Sequence, residues 1–218
     1  MMKRVIKLGR SPSAQLPPGE EDVTFSEELV EVLLAEFTQP GDLVLDPFAG
    51  FGTTLVVAER MGRRALGVEL LPERVAFIRT RLMNRDAVVE GDALHLAGLN
   101  LPAVDFVMTS PPYMALADHP QNPLTAYRTL DGDYTAYIRQ LGLIFESVGR
   151  LLKPRGHVVI NIANLRSGAV LTPLARDISD ALSSVMTLEQ EALVESVVAD
   201  PTTEGNYCYV FRHGRTIG

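Results

Sequence analysis

Residues 43–54 read Leu-Val-Leu-Asp-Pro-Phe-Ala-Gly-Phe-Gly-Thr-Thr, LVLDPFAGFGTT. Three apolar residues lead into an acid, a proline and two glycines. A short apolar run bounded by turn residues reads as a buried strand. Pro47 lacks an N–H, so the strand ends at Asp46. Gly50 and Gly52 permit positive φ and a close backbone approach to a ligand. The next segment, TLVVAERMG, has helical apolar spacing and closes on Gly62. Strand, glycine turn and helix together open a βαβ unit. No Gly-Lys-Ser/Thr follows, so this is not a Walker loop, and the full G-x-G-x-x-G spacing is also missing. By itself the turn fits a tight bend as well as it fits a ligand site.

The alternation continues on both sides of this stretch. Upstream, VTFSEELVEVLLAEF reads as a helix with Thr24 or Ser26 as its cap and acids in its first turn, and PGD ends it. Downstream, RALGVEL is a second strand ending at Glu69. PERVAFIRTRL is a helix with Pro72 in its first turn. AVVEGDAL is a third strand and VDFVMTS a fourth. After a long loop, residues 114–133, come the helix YTAYIRQLGLIFESVGRLL, the strand in KPRGHVVINIAN and the helix TPLARDISDALSSVM. The tail, ALVESVVADPTTEGNYCYVFRH, reads as two β segments joined by a turn. The expected fold is α/β: a mostly parallel sheet, helices on both faces, right-handed crossovers and an antiparallel C-terminal edge hairpin. Residues 1–21 read as an irregular leader and 22–218 as a single domain.

Composition narrows the function classes. The 218 residues carry a formal charge of −7, against a broad nonspecific grip on polyanions. Lys3, Arg4, Lys7 and Arg10, and then Arg60, Arg63 and Arg64, form two basic groups. They read as a solvated tail and a solvated helix end, with phosphate contact as the alternative. No apolar run is long enough for a membrane span and no signal peptide is evident, so a soluble cytoplasmic chain is expected. One cysteine, Cys208, allows no intrachain disulfide. His95, His119, His157 and His213 lack ligand spacing, so no metal is expected.

In parallel sheets, ligands bind outside the carboxyl ends of the strands. Asp46, Glu69, Asp92 and the stretch TSPPY, residues 109–113, all fall at strand ends on that one rim. A carboxylate at Glu69 suits the two hydroxyls of a ribose. Asp92 suits an exocyclic amine of adenine. Asp46 beside the glycine turn would repel a diphosphate and suits an ammonium group. The three together fit a nucleoside such as S-adenosylmethionine; taken singly, each is equally a helix cap or first-turn charge.

DPFAGFGTT followed by TSPPY resembles the amino-methylating S-adenosylmethionine-dependent DNA methyltransferases, the N4-cytosine and N6-adenine group. Asp46, Pro47, Phe48, Gly50 and Gly52 match the family's cofactor motif. Ser110, Pro111, Pro112 and Tyr113 match its catalytic motif. The helical segment upstream resembles a further family motif, with Phe25 as a methionine-side contact. The likeness covers roughly residues 22–165. It implies a class I, Rossmann-like methyltransferase fold, with Thr53, Leu70 and Ala93 as further cofactor neighbours. The motif order resembles the gamma arrangement, without an evident target-recognition domain. That departure leaves residues 114–133 as the main candidate for substrate contact, with a homodimer or a separate recognition partner as alternatives.

Chemistry at the proline pair follows from its stiffness. An exocyclic amine is a poor nucleophile because its lone pair is delocalised into the ring. The Ser110 hydroxyl and the Pro111 carbonyl are two acceptors for its two hydrogens, pre-positioned by the prolines. Tyr113 offers a stacking face for a flipped base. The resemblance associates Ser-Pro-Pro-Tyr mostly with cytosine N4, and DNA is the first substrate. Guanine-N2 methylation of RNA, or a cofactor-binding subunit that needs a partner, are the alternatives. Cys208 lies in no Pro-Cys motif, against C5-cytosine chemistry. Asn161 and Asn164 read as substrate-facing or turn residues, and Tyr134 and Tyr137 as core packing.

Overall fold

Ser26 opens the first helix: its hydroxyl accepts the Glu28 N–H at 3.1 Å, satisfying one of the orphan donors of the first turn. In the computed structural model, which describes residues 2–9, 26–116, 120–196 and 203–213, this helix is α1, Glu27–Phe37. Then follow β2 Leu43–Asp46, α2 Thr53–Arg60, β3 Arg64–Glu69, α3 Pro72–Arg81 and β4 Val88–Glu90. β5 Val104–Thr109 leads through the long loop to α4 Tyr134–Leu151. The C-terminal part holds β6 Leu152–Ser167, β7 Val170–Thr172, α5 Leu174–Ser183, β8 Met186–Glu195 and β9 Thr203–His213. The first strand, β1, is Met2–Lys7.

Among the described residues one nine-stranded sheet forms, in the order β1-β8-β9-β6-β5-β2-β3-β4, with β7 paired to β6. The pairs β2–β3, β2–β5, β3–β4, β5–β6 and β1–β8 are parallel, and β6–β9 and β8–β9 antiparallel. Side chains alternate across the sheet, which gives two cores. Phe106 and Met108 face Leu33 of α1, Val57 of α2 and Ile78 of α3. Val107 and Ile160 face Phe145 of α4 and Ile178 of α5. Each such fully buried side chain contributes about 1.5–3 kcal/mol of transfer free energy.

The leader departs from expectation over residues 2–7. They form a strand parallel to β8, with Arg4 opposite Ala192 and Ile6 opposite Val194. Ile6 is buried and Val5 exposed, so a basic run hides a period-two pattern. Edge position suits the exposed Lys7, a charge that blunts further pairing. Arg4 bonds Glu36 at 2.6 Å. The C-terminal hairpin is antiparallel as expected, but β1 covers its outer strand.

The second basic group stands at the end of α2 with Arg60 and Arg64 exposed and Arg63 half-buried, and each has protein partners. Arg60 bridges Glu27 and Glu31, each at 2.7 Å. Arg63 donates to the Leu34, Thr38 and Met61 carbonyls, closing the C-terminus of α1. Arg64 donates to the Gly41 carbonyl. The third strand is shorter than AVVEGDAL suggested: it stops at Glu90, and Asp92 starts a short 3-10 turn.

Candidate active site

Parallel pairing brings the carboxyl ends of β2, β3, β4, β5 and β6 to one rim. Asp46 ends β2, and residues 47–52 form the glycine turn into α2. Gly50 has φ +56° and Gly52 φ +80°, a region costly for residues with a Cβ. No side chain caps the first turn of α2, so its leading N–H groups are left to other partners. Phe51 is buried edge-on against Phe77, and the Arg74 guanidinium lies over its ring at 4.6 Å.

Glu69 staples the turn to β3. Its Oε2 accepts the Gly50 N–H at 2.8 Å and its Oε1 the Leu71 N–H at 2.9 Å. Burial raises its carboxyl above the usual range, against the lowering effect of those bonds and of Arg74. Leu70 follows it on the rim. Asp92 is the cap of the 3-10 turn, its Oδ1 accepting the Leu94 N–H at 2.8 Å, with His95 Nδ1 at 3.4 Å from Oδ2. Ala93 is buried beside it. So Asp92 does act as a cap, and one of its oxygens faces an exposed histidine.

Asp46 is almost wholly buried, at 1% exposure. Its Oδ1 accepts the Thr109 hydroxyl at 2.6 Å and the Phe48 N–H at 3.0 Å. Burial pushes its carboxyl up to about 6, the hydroxyl and N–H donors pull it back, and Glu69 raises it further. Thr109 is the residue before Ser110. The ends of β2 and β5 are therefore tied, and with them the glycine turn and the proline pair.

At the proline pair, Pro111 is buried and Ser110, Pro112 and Tyr113 are half-buried. The Ser110 hydroxyl donates to Tyr113 Oη at 3.4 Å, leaving its oxygen lone pairs able to accept. Tyr113 Oη also accepts the Ala163 N–H at 3.0 Å, beside the β6 irregularity at Ala163 and Asn164. From α4, the Tyr137 hydroxyl donates to the Pro112 carbonyl at 2.7 Å.

The structure thus brings Asp46, Phe48, Gly50, Glu69 and residues 110–113 to one rim, with Asp92 at the next strand end. Phe25 and His119 lie outside the described residues. Asn161 is buried and donates to the Asn206 side chain and the Tyr207 carbonyl, whereas Asn164 accepts the Ala175 N–H at the start of α5. Tyr134 donates to Asp177 at 2.7 Å, linking α4 to α5. Tyr137 packs in the core as expected, yet its hydroxyl contact was missed. The signal was a tyrosine where phenylalanine would pack equally well, because a buried phenol needs a partner. Among the described residues, no helix is long and apolar enough to cross a membrane.

Residues 11–80 match the family described as DNA methylase, spanning the glycine turn and Glu69. Over that stretch the chain is similar to DNA methyltransferases. Relatives include the type II methyltransferase M.Cfr9I of Citrobacter freundii, 42% identical over 71 residues, covering 33% of this chain and 24% of that protein. The type II methyltransferase M2.DpnII of Streptococcus pneumoniae is 42% identical over 64 residues, 29% of this chain and 24% of its own. The chain thus spans about a quarter of the length of these relatives. Among solved structures, TrmN from Thermus thermophilus superposes with a TM-score of 0.61 at 19% identity, over 87% of this chain and 49% of its own. A precorrin-6y C5,15-methyltransferase from Geobacter metallireducens gives 0.56 at 18% identity, over 89% and 92%. The fold is the class I methyltransferase fold. S-adenosylmethionine is the cofactor that goes with this family and fold, and the rim fits it: a glycine turn, an uncapped helix start and an acid at the end of β3.

Proposed function

We propose that this chain transfers the methyl group of S-adenosylmethionine to an exocyclic amine of a base in DNA. One observation carries the reading: the Asp46–Thr109 bond holds the cofactor turn and the proline pair in fixed relation. In this reading Glu69 takes the ribose hydroxyls, Asp92 the adenine amine and Asp46 the ammonium group. Pro47, Phe48, Gly50, Gly52, Thr53, Leu70 and Ala93 line that half. S-adenosylmethionine supplies an electrophilic methyl group on a sulfonium.

The chain's own residues prepare the amine. Ser110 Oγ and the Pro111 carbonyl accept its two hydrogens. The nitrogen then becomes pyramidal, its lone pair withdraws from the ring π system towards the methyl group, and one of its two hydrogens is released as a proton once the methyl is bound. The prolines hold both acceptors in place before the base arrives, so little reorganisation accompanies reaction. The Tyr113 ring supplies the stacking face for a base taken out of the duplex. Cys208 does not serve as a covalent nucleophile here, because burial pushes its thiol up to about 12. Ser110 at the first clamp position supports cytosine N4 over adenine N6.

Incubating the protein with labelled S-adenosylmethionine and unmethylated DNA or RNA, then digesting to nucleosides, tests the reading. N4-methylcytosine in DNA is expected. N6-methyladenine would reassign the base, and label only in RNA or protein would overturn the substrate class. Ser110→Ala should lower turnover at least about tenfold, or ~1.4 kcal/mol of barrier.

A further inference from the structure

Tyr137 sits on α4, 25 residues from Pro112, with 1% exposure and its hydroxyl on the Pro112 carbonyl at 2.7 Å. The torsions of the clamp show what that contact controls. Ser110 and Pro111 each precede a proline, which confines their ψ to the extended region. Pro111 and Pro112 have φ locked by their rings. The torsion left loose is ψ of Pro112, and it decides where the next residue, Tyr113, points. A hydrogen bond to the Pro112 carbonyl fixes that peptide plane, and hence that torsion.

We propose that Tyr137 is the positioning residue of the clamp, locking Pro112 ψ so that the Tyr113 ring stands correctly against the Ser110 and Pro111 acceptors. Three further observations agree. Tyr113 is caught at its far end by the Ala163 N–H at 3.0 Å, so both ends of the segment are fixed. The Tyr137 ring is seated among Leu141, Phe145 and Met114 in the larger core, which leaves little freedom to its hydroxyl. Burial, with the nearby phenols of Tyr113, Tyr134 and Tyr127, holds the Tyr137 hydroxyl well above its usual range, so it stays a donor at any working pH. No proline N–H is available within the pair to do the same work.

Tyr137→Phe keeps the ring and removes only the donor. Amide hydrogen exchange in the free protein reads the clamp without any activity. Exchange at Tyr113 and Ala163 should rise about tenfold, with the amides of β2 and α2 unchanged. A uniform rise across the sheet, or none at Tyr113, would overturn the proposal. Kinetics then test its catalytic consequence, which rests on the methyl-transfer reading. The variant should lose about tenfold in kcat with KM for S-adenosylmethionine unchanged. Tyr113→Phe combined with Tyr137→Phe should cost little more than the worse single variant, because both act on one ring position. Additive losses would overturn the proposal. A local exchange rise in the Tyr137→Phe variant, with a wild-type protein that transfers no methyl group, would instead sink the reaction and uphold the positioning role.

Discussion

The Thr109 hydroxyl donates to Asp46 Oδ1 at 2.6 Å, joining the last residue of β5 to the last residue of β2. The pair lies inside the sheet rim at 0% and 1% exposure. A carboxylate so placed is costly in its charged form. Its retention in an otherwise apolar β2 end suits a group held for a ligand rather than for stability.

The sign of that cost gives the first prediction. Burial raises the Asp46 carboxyl from 3.8 to about 6, so the folded state binds its proton more tightly than the unfolded chain. Its stabilising contribution is full below about pH 4 and is lost as pH rises through 6. Two units of difference correspond to roughly 3 kcal/mol at most. Asp46→Asn keeps an oxygen for Thr109 and for the Phe48 N–H but cannot ionise. Denaturant melts between pH 4 and 8 should show the variant gaining on wild type by about 1–3 kcal/mol as pH rises, while its affinity for S-adenosylmethionine drops. A difference that does not vary with pH would reject the assignment.

Thr109→Val removes the donor and keeps the shape. At pH 7.5 the buried carboxylate then loses its shortest bond, at a cost of about 1–3 kcal/mol. The loss should shrink near pH 5, where more of Asp46 is protonated. Equal losses at the two pH values, measured by urea unfolding, would show that the hydroxyl does not serve the charge.

Glu69 has both carboxylate oxygens on backbone N–H groups, Gly50 at 2.8 Å and Leu71 at 2.9 Å. Glu69→Gln offers one acceptor and sets an NH2 against the other N–H. Either the Gly50 or the Leu71 N–H then loses its acceptor, while the Ala49 N–H stays on the Val68 carbonyl at 2.9 Å. Titration calorimetry should find S-adenosylmethionine bound at least about tenfold more weakly, ~1.4 kcal/mol. An unchanged Kd would remove Glu69 from the cofactor site.

Much of this was legible in the sequence, for local reasons. β2 and β3 end at Asp46 and Glu69, where an apolar run meets an acid followed by a turn or a proline. The helices follow from apolar spacing and from caps such as Ser26. What was not legible depends on distant partners. Residues 2–7 look like a basic tail until β8, nearly two hundred residues away, supplies their ladder. Arg63 looks exposed until the C-terminus of α1 arrives to use its donors. Apolar periodicity put Tyr137 on the buried face of α4, but periodicity carries no information on where a hydroxyl points. Asp46 and Thr109 were both placed at strand ends; their bond required knowing that β2 and β5 are neighbours.

Gly52 offers a test of the turn that needs no cofactor. It precedes α2 with φ +80°, and a Cβ built there would meet Ile78 Cγ1 at 3.0 Å and Cγ2 at 3.1 Å. Gly52→Ala therefore carries two separable costs. The left-handed backbone costs about 1–2 kcal/mol for a residue with a Cβ. Crowding against Ile78, a fully buried residue of α3, adds to that, because a packed core gives little. At about 2–4 °C per kcal/mol for a chain of this size, Tm should fall by roughly 3–8 °C. Ile78→Ala in the Gly52→Ala background removes Cγ1 and Cγ2, the two atoms nearest the new Cβ. Alone it costs about 2–5 kcal/mol as a core truncation. In the double variant that cost should shrink, since the lost atoms are the ones that clashed. Calorimetric melting of the four proteins decides it: strict additivity would mean that Ile78 yields freely and that the backbone alone demands glycine.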